Sequence, residues 1–208
     1  MGTRNIIFSS DDKLASLWSI SSFTSDYYDQ IKNIPLVEYP EINIMGRVCH
    51  QRRHVGFYSN ESSGYRYSGQ IAKAFPLDDA PVVKGILDSV NDSLKTSFNG
   101  VLINKYTSGG DYISAHSDDE KGLDRGKKLV ASLCYSSVDN RGNYNGIRKF
   151  RIREKESKKI VVDYQHQPGE LLVMEGLFQK RYTHEIPIEK RVLGERISLT
   201  FRCHLISS

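Results

Sequence analysis

The sequence predicts a mainly β domain, a barrel or sandwich of antiparallel sheets with helices packed on one sheet. Three observations carry that expectation. From residue 100 onward, short alternating segments follow one another: VLINKY, DYISAH, KLVASLCYS, RKFRIR, KIVVDY, GELLVM, YTHEIPI and ERISLTFR. Gly, Asp and Asn turns separate them and no helical spacing intervenes, so a jelly roll is the natural arrangement of these eight strands. Within APVVKGILDSVNDSLKTSF, Val83, Ile86, Leu87, Val90 and Leu94 recur at spacings of three and four, which predicts a helix with one apolar face. Finally, 208 residues suffice for one full core, and no Pro/Gly/Ser-rich linker divides them, so a single domain over 1–208 is expected.

Taken in order, residues 1–40 read as an N-terminal helical extension. Thr24 or Ser25 can cap a segment containing Tyr27, Tyr28, Ile31 and Ile34, which ends before Pro35. Residues 41–75 read mostly as strand and turn. The eight-strand core occupies 98–204.

The hydrophobic fraction is 38%, and no apolar run approaches the length needed to cross a bilayer, so no membrane partner is expected. The N-terminus lacks a secretory pattern, and Gly2 alone makes no persuasive acylation site. Cys49, Cys134 and Cys203 are odd in number and far apart, which argues against a disulfide framework. An intracellular monomer, in nucleus or cytoplasm, is the expectation. The net charge of +4 is unevenly spread: Arg141 to Lys159 carries eight Lys/Arg against two Glu. That run is either a solvated strand pair or a phosphate-facing edge.

In YISAHSDDE, His116 and Asp118 would share a strand face while Ser117 points away, so two ligands could meet one metal. His-x-Asp is short, and a solvated turn explains it equally well. Two histidines with one carboxylate favour non-haem Fe(II) with open positions, and His184 in RYTHEIP is the best third ligand. His54, His166 and His204 lack a comparable pattern and read as structural or surface residues.

ERISLTFR puts Arg196, Ser198, Thr200 and Arg202 on one face and Ile197, Leu199 and Phe201 on the other. Facing a barrel interior, the arginines need an anion; facing out, they are solvated. Their Cα atoms lie roughly 20 Å apart at about 3.3 Å per residue, a gap that two arginine side chains can close around a small dicarboxylate. Asn104 and Tyr106 in VLINKY share a face and can donate to the same acid.

FNGVLINKYTSGGDYISAHSDDE, GELLVMEG, the YTHEIP segment and RISLTFR, in this order, resemble the AlkB family of Fe(II)- and 2-oxoglutarate-dependent dioxygenases. The likeness covers about residues 40 to 203. It implies a double-stranded β-helix with His116, Asp118 and His184 as iron ligands. It also implies 2-oxoglutarate held by Asn104, Tyr106, Arg196, Thr200 and Arg202, with Arg196 on the distal carboxylate, Arg202 near the metal end and Ser198 on the same face. In the family, Fe(II), O2 and 2-oxoglutarate hydroxylate an N-methyl group of a base in DNA or RNA, and formaldehyde is released.

INIMGRVCHQRRHVGFYSNESSGYRYSG looks like the family's nucleotide-recognition region, 41–75. The comparison points to Tyr65 and Tyr67 as base-stacking aromatics, and to Asp119 and Glu120 as readers of the base. Ile44, Met45 and Gly46 match a hairpin tip that wedges into the stack, and Arg53 matches the family's Pro-Arg arginine. Three departures bear on substrate: Arg52 replaces the proline, Ser198 stands where relatives often have asparagine, and CYSSVDNRGNYNG is a longer polar loop. Two other readings stay open, an oxygenase acting on a protein or small molecule and a catalytically silent nucleic-acid-binding module.

Overall fold

The computed structural model describes residues 3–44, 46–62, 64–67, 70–119, 122–124 and 129–206, with backbone alone for 66, 67 and 70. The chain opens with β1 (Arg4–Ser9), β2 (Ala15–Ile20) and a short α1 (Tyr28–Ile31). Then come β3 (Glu41–Ile44), β4 (Arg47–His50), β5 (His54–Tyr58), β6 (Gly64–Tyr67), β7 (Gln70–Phe75) and α2 (Pro81–Leu94). The second half holds β8 (Gly100–Tyr106), β9 (Ile113–His116), β10 (Val130–Ser136), β11 (Arg148–Glu154) and β12 (Ile160–His166). It closes with β13 (Leu171–Gly176), α3 (Phe178–Arg181), β14 (Tyr182–Ile186) and β15 (Arg196–Arg202).

The eight strands expected after residue 100 divide four and four. β13, β10, β15 and β8 lie at the centre of a sheet ordered β1-β2-β13-β10-β15-β8-β5-β7-β6, and β12-β11-β14-β9 forms the opposing sheet. This is the double-stranded β-helix. β3 and β4 pair separately as a hairpin.

Residue parity decides which way each side chain faces. In β15 the odd residues Ile197, Leu199 and Phe201 join Val101, Ile103 and Leu133 against the apolar stripe of α2, Val83, Ile86, Leu87 and Val90. Each such buried side chain contributes about 2 kcal/mol, an upper figure because unfolded chains already bury some surface. Between the two sheets a second cluster packs Leu172, Met174, Phe150, Ile152 and Phe178. The even residues of β8 and β15 face that inter-sheet space.

The N-terminal forty residues correct the sequence reading. They supply two strands and one helix of four residues, not a helical extension. ASLWSI pairs with β13 along its whole length, and RNIIFS pairs with it in turn, so the large sheet grows at this edge. The SSDDK segment is the hairpin turn: Lys13 takes φ 58°, and the Asp12 carboxylate accepts the Leu14 N–H. Neither Thr24 nor Ser25 caps α1. Asp26 accepts the Tyr28 N–H, while the Thr24 hydroxyl meets the Tyr135 hydroxyl at 2.8 Å.

Candidate active site

The register between β8 and β15 assembles one wall of the site. Arg196 lies opposite Tyr106, Ser198 opposite Asn104 and Thr200 opposite Leu102. Alternation sends these even-numbered side chains to one face, and all of the polar ones are buried. They line a cavity together with His116, His184 and Arg202. The alternative of an exposed arginine edge is thereby removed.

The opposing sheet brings the histidines in. His184 of β14 pairs directly with His116 of β9, and their ring centroids lie 4.3 Å apart. Phe150 stacks on His184 at 5.2 Å. β9 ends at His116, and Asp118 is set just beyond it by its own N–H, which donates to the Gln179 side chain at 2.9 Å. Ser117 points away, as expected, donating to the Tyr182 carbonyl.

The nitrogen and oxygen atoms converge. His116 Nε2 lies 3.8 Å from Asp118 Oδ1, and His184 Nε2 lies 3.6 Å from Asp118 Oδ2. Ligand atoms of the three all lie within 4.8 Å of one another. His116 Nδ1 meets the Ser114 carbonyl at 2.9 Å, which puts the proton on Nδ1 and the lone pair on Nε2, the tautomer that binds a metal from this side. Burial lowers both imidazoles, His184 to about 3, so both stay in the neutral form that binds metal. Burial alone would raise the Asp118 carboxyl, but the Arg202 guanidinium paired with it outweighs that and holds it ionised. Asp118 Oδ2 is buried without a hydrogen-bond partner among the described residues. Two imidazoles, one carboxylate and an orphaned carboxylate oxygen fit a divalent iron with open positions.

The cosubstrate side fits a dicarboxylate. Arg202 is paired with Asp118, at the metal end of the wall. Among the described residues Arg196, 1% exposed, pairs with no carboxylate, and its Nε and Nη1 have no hydrogen-bond partner. A buried guanidinium with two open donors needs an anion, and a carboxylate matches its fork. Tyr106 lies beneath it, ring centroid 5.5 Å from the guanidinium carbon. Asn104 Oδ1 accepts from Arg53 Nε at 2.8 Å, leaving its amide N–H groups for a ligand.

Residues 37–202 match the family model described as the 2OG-Fe(II) oxygenase superfamily. The DNA oxidative demethylase ALKBH2 of Arabidopsis thaliana is 32% identical over 192 residues, 85% of this chain and 60% of that protein. Its namesake in Mus musculus is 31% identical over 169 residues, 78% of this chain and 66% of that protein. The chain belongs to the AlkB family of 2OG-Fe(II) oxygenases. It spans less than two thirds of the length of these relatives. The solved structure of OsALKBH1 shares the fold, with a TM-score of 0.53 at 16% identity, covering 89% of this chain and 97% of that one. Fe(II), 2-oxoglutarate and O2 are the cofactors this oxygenase family requires, and the residues above fit them.

The oxygenase's expected substrate residues divide. Arg53 and Tyr65 are buried, and both line a groove beside the β3–β4 hairpin together with Gln51 and Lys73. Tyr65 also serves the core: it packs near Phe57, and the Arg202 guanidinium carbon lies 5.1 Å over its ring. Ile44 is half exposed at the hairpin end, and Gly46 turns it with φ 81°, its N–H donating to Asn43. Asp119 is exposed and lies 3.5 Å from Lys155. Met45, Glu120 and the Tyr67 side chain fall outside the described residues.

The basic run is mostly neutralised. Lys149 and Arg151 pair with Asp163, Arg153 with Glu185, and Arg148 with Glu189. The solvated strand pair is the better reading of it. His166, expected to be structural or at the surface, is wholly buried and touches Arg196. Nothing in YQHQPG signals this, because the contact crosses between the two sheets. Among the described residues, no helix is long and apolar enough to cross a membrane.

Proposed function

We propose that this oxygenase demethylates N-alkylated bases of the 1-methyladenine and 3-methylcytosine type in DNA or RNA, yielding formaldehyde, succinate and carbon dioxide. The observation that carries the reading is one buried cavity between the two sheets. His116 and His184 of the cluster with Asp118 line it together with Arg196, which has no acid partner among the described residues, inside a chain about 30% identical to enzymes named as DNA demethylases.

His116, Asp118 and His184 would hold the iron. Arg196, Tyr106 and Asn104 would hold the cosubstrate, with Ser198 and Thr200 on the same face and Arg202 fixing the metal end. When bound, the iron and cosubstrate supply the oxidation: one oxygen atom of O2 goes to the methyl carbon, the other into succinate as carbon dioxide leaves. The chain's own work is placement. The Ser114 carbonyl holds the His116 tautomer, Arg202 keeps Asp118 ionised, and the apolar packing of Phe150 and Met174 excludes water. The hydroxymethyl base so formed would give up its hydroxyl proton and break its N–C bond, releasing formaldehyde and leaving the ring nitrogen unmethylated.

Residues 41–75 would receive the base over the 98–204 core, the groove of Arg53 and Tyr65 lying beside the hairpin of Ile44 and Gly46. Incubation with Fe(II), ascorbate, 2-oxoglutarate and methylated oligonucleotides should release formaldehyde and succinate in equal amounts. Succinate without formaldehyde from any methylated DNA or RNA would sink the substrate assignment and leave the oxygenase.

A further inference from the structure

Arg196 faces an unusual requirement. It must keep a fixed orientation while buried, yet keep its charge available for a ligand. An acidic partner would fix it and cancel the charge. An apolar neighbour would preserve the charge and leave one more donor unmatched.

The structure answers with a neutral acceptor. Arg196 Nη2 lies 3.2 Å from His166 Nδ1, and His166 Nε2 lies 2.8 Å from the Glu170 carbonyl. A backbone carbonyl only accepts, so Nε2 carries the proton and Nδ1 is the lone pair that receives the arginine N–H. His166 is 0% exposed, and burial, then Arg196, push it down to about 3, so it stays uncharged at any working pH.

The carbonyl is itself held. Glu170 N–H donates to the Gln167 carbonyl across a turn with Pro168 second and Gly169 third, and Gly169 takes φ 74°. That is the geometry of a type II turn, whose third residue favours glycine. The Glu170 carboxylate closes the unit, accepting from the Tyr164 hydroxyl at 2.7 Å and the Gln167 N–H at 3.1 Å. The β12–β13 turn thus supports His166, and His166 supports the arginine across the inter-sheet space.

We propose that His166 is the positioning residue for Arg196, and that through it this oxygenase selects cosubstrates bearing a second, distal carboxylate. The proposal rests on assigning Arg196 to that carboxylate. His166 touches neither iron nor cosubstrate in this arrangement; it acts through the guanidinium.

The test is binding of 2-oxoglutarate to the Mn(II)-loaded chain by calorimetry, beside 2-oxobutyrate, which keeps the 2-oxo acid end and lacks the distal carboxylate. His166→Leu should weaken 2-oxoglutarate about tenfold, the cost of one hydrogen bond to a charged group, and leave 2-oxobutyrate unchanged. His166→Asn, whose amide oxygen can stand near the place of Nδ1, should recover most of the loss. In turnover, the Leu variant should raise KM for 2-oxoglutarate with kcat nearly unchanged. Equal weakening of both acids would mean a general packing defect and overturn the proposal, as would wild-type 2-oxoglutarate affinity in the Leu variant. Arg196→Ala separates the two levels: if it leaves 2-oxoglutarate affinity intact, the arginine assignment itself fails; if it removes affinity while His166→Leu does not, only the positioning role fails.

Discussion

The wall formed by β8 and β15 and the rim formed by residues 41–67 are neighbours built on different terms. On the wall, paired central strands fix every second side chain, and Asn104, Tyr106, Arg196, Ser198, Thr200 and Arg202 are all buried. On the rim, the β3–β4 hairpin pairs only with itself among the described residues and leaves Ile44 48% and Val48 67% exposed. Under the proposed function, the chemistry that every substrate needs would sit where ladder register enforces geometry, and selection among substrates where the backbone is free to differ. Arg53 belongs to both, bonding Asn104 on the wall and lining the groove on the rim.

Breaking the ligand cluster that faces the wall should have the largest effect. His116→Ala or Asp118→Ala removes one of three convergent ligands, and turnover should fall on the order of a thousandfold or more, equivalent to roughly 4 kcal/mol. Metal titration should show the same loss without any substrate present. Retained iron affinity in both variants would mean that the metal sits elsewhere.

Arg53→Ala should come next and sharpen the division. Loss of its bond to buried Asn104 should raise KM for 2-oxoglutarate several-fold, and loss of its place in the groove should raise KM for the oligonucleotide about tenfold. A rise confined to one of the two would assign Arg53 to one region alone.

Much of the wall is legible in the sequence because period-two alternation is a strong signal. In RISLTFR and VLINKY the alternation alone says which residues share a face, and strand pairing needs only to align Ser198 with Asn104. The N-terminus misleads for the converse reason. ASLWSI lies between β1 and β13, is covered on both faces and shows no alternation, so Trp18 and Ile20 give no strand signal. His166 escapes because its meaning depends on a contact between residues 30 apart in sequence and on opposite sheets. Asp118 falls on the expected face although the strand stops at His116, since the Gln179 side chain completes what the ladder does not.

On the rim, Ile44→Ser with Val48→Ser should leave the melting temperature within the small range of exposed substitutions, about 0.5 kcal/mol. KM for a duplex should rise a few-fold, and turnover of a short methylated single strand should not change. Equal effects on both substrates would make the hairpin a general contact and not a device for opening a duplex.

The smallest effect concerns the rigidity of the wall itself. His166 titrates near 6.5 when unfolded but at about 3 in the fold, so between those values the unfolded chain binds more protons. Stability therefore holds above about pH 6.5 and declines as pH falls toward 3. His166→Asn removes that group, so its melting temperature should drop less than the wild type's between pH 7.5 and 5, whatever its starting value. His184 and His204, also held at about 3 chiefly by burial, remain in the variant and preserve part of the slope. An unchanged slope would mean that His166 takes up a proton inside the fold. A charged imidazole against Arg196 would then contradict the fixed wall on which the comparison with the rim depends.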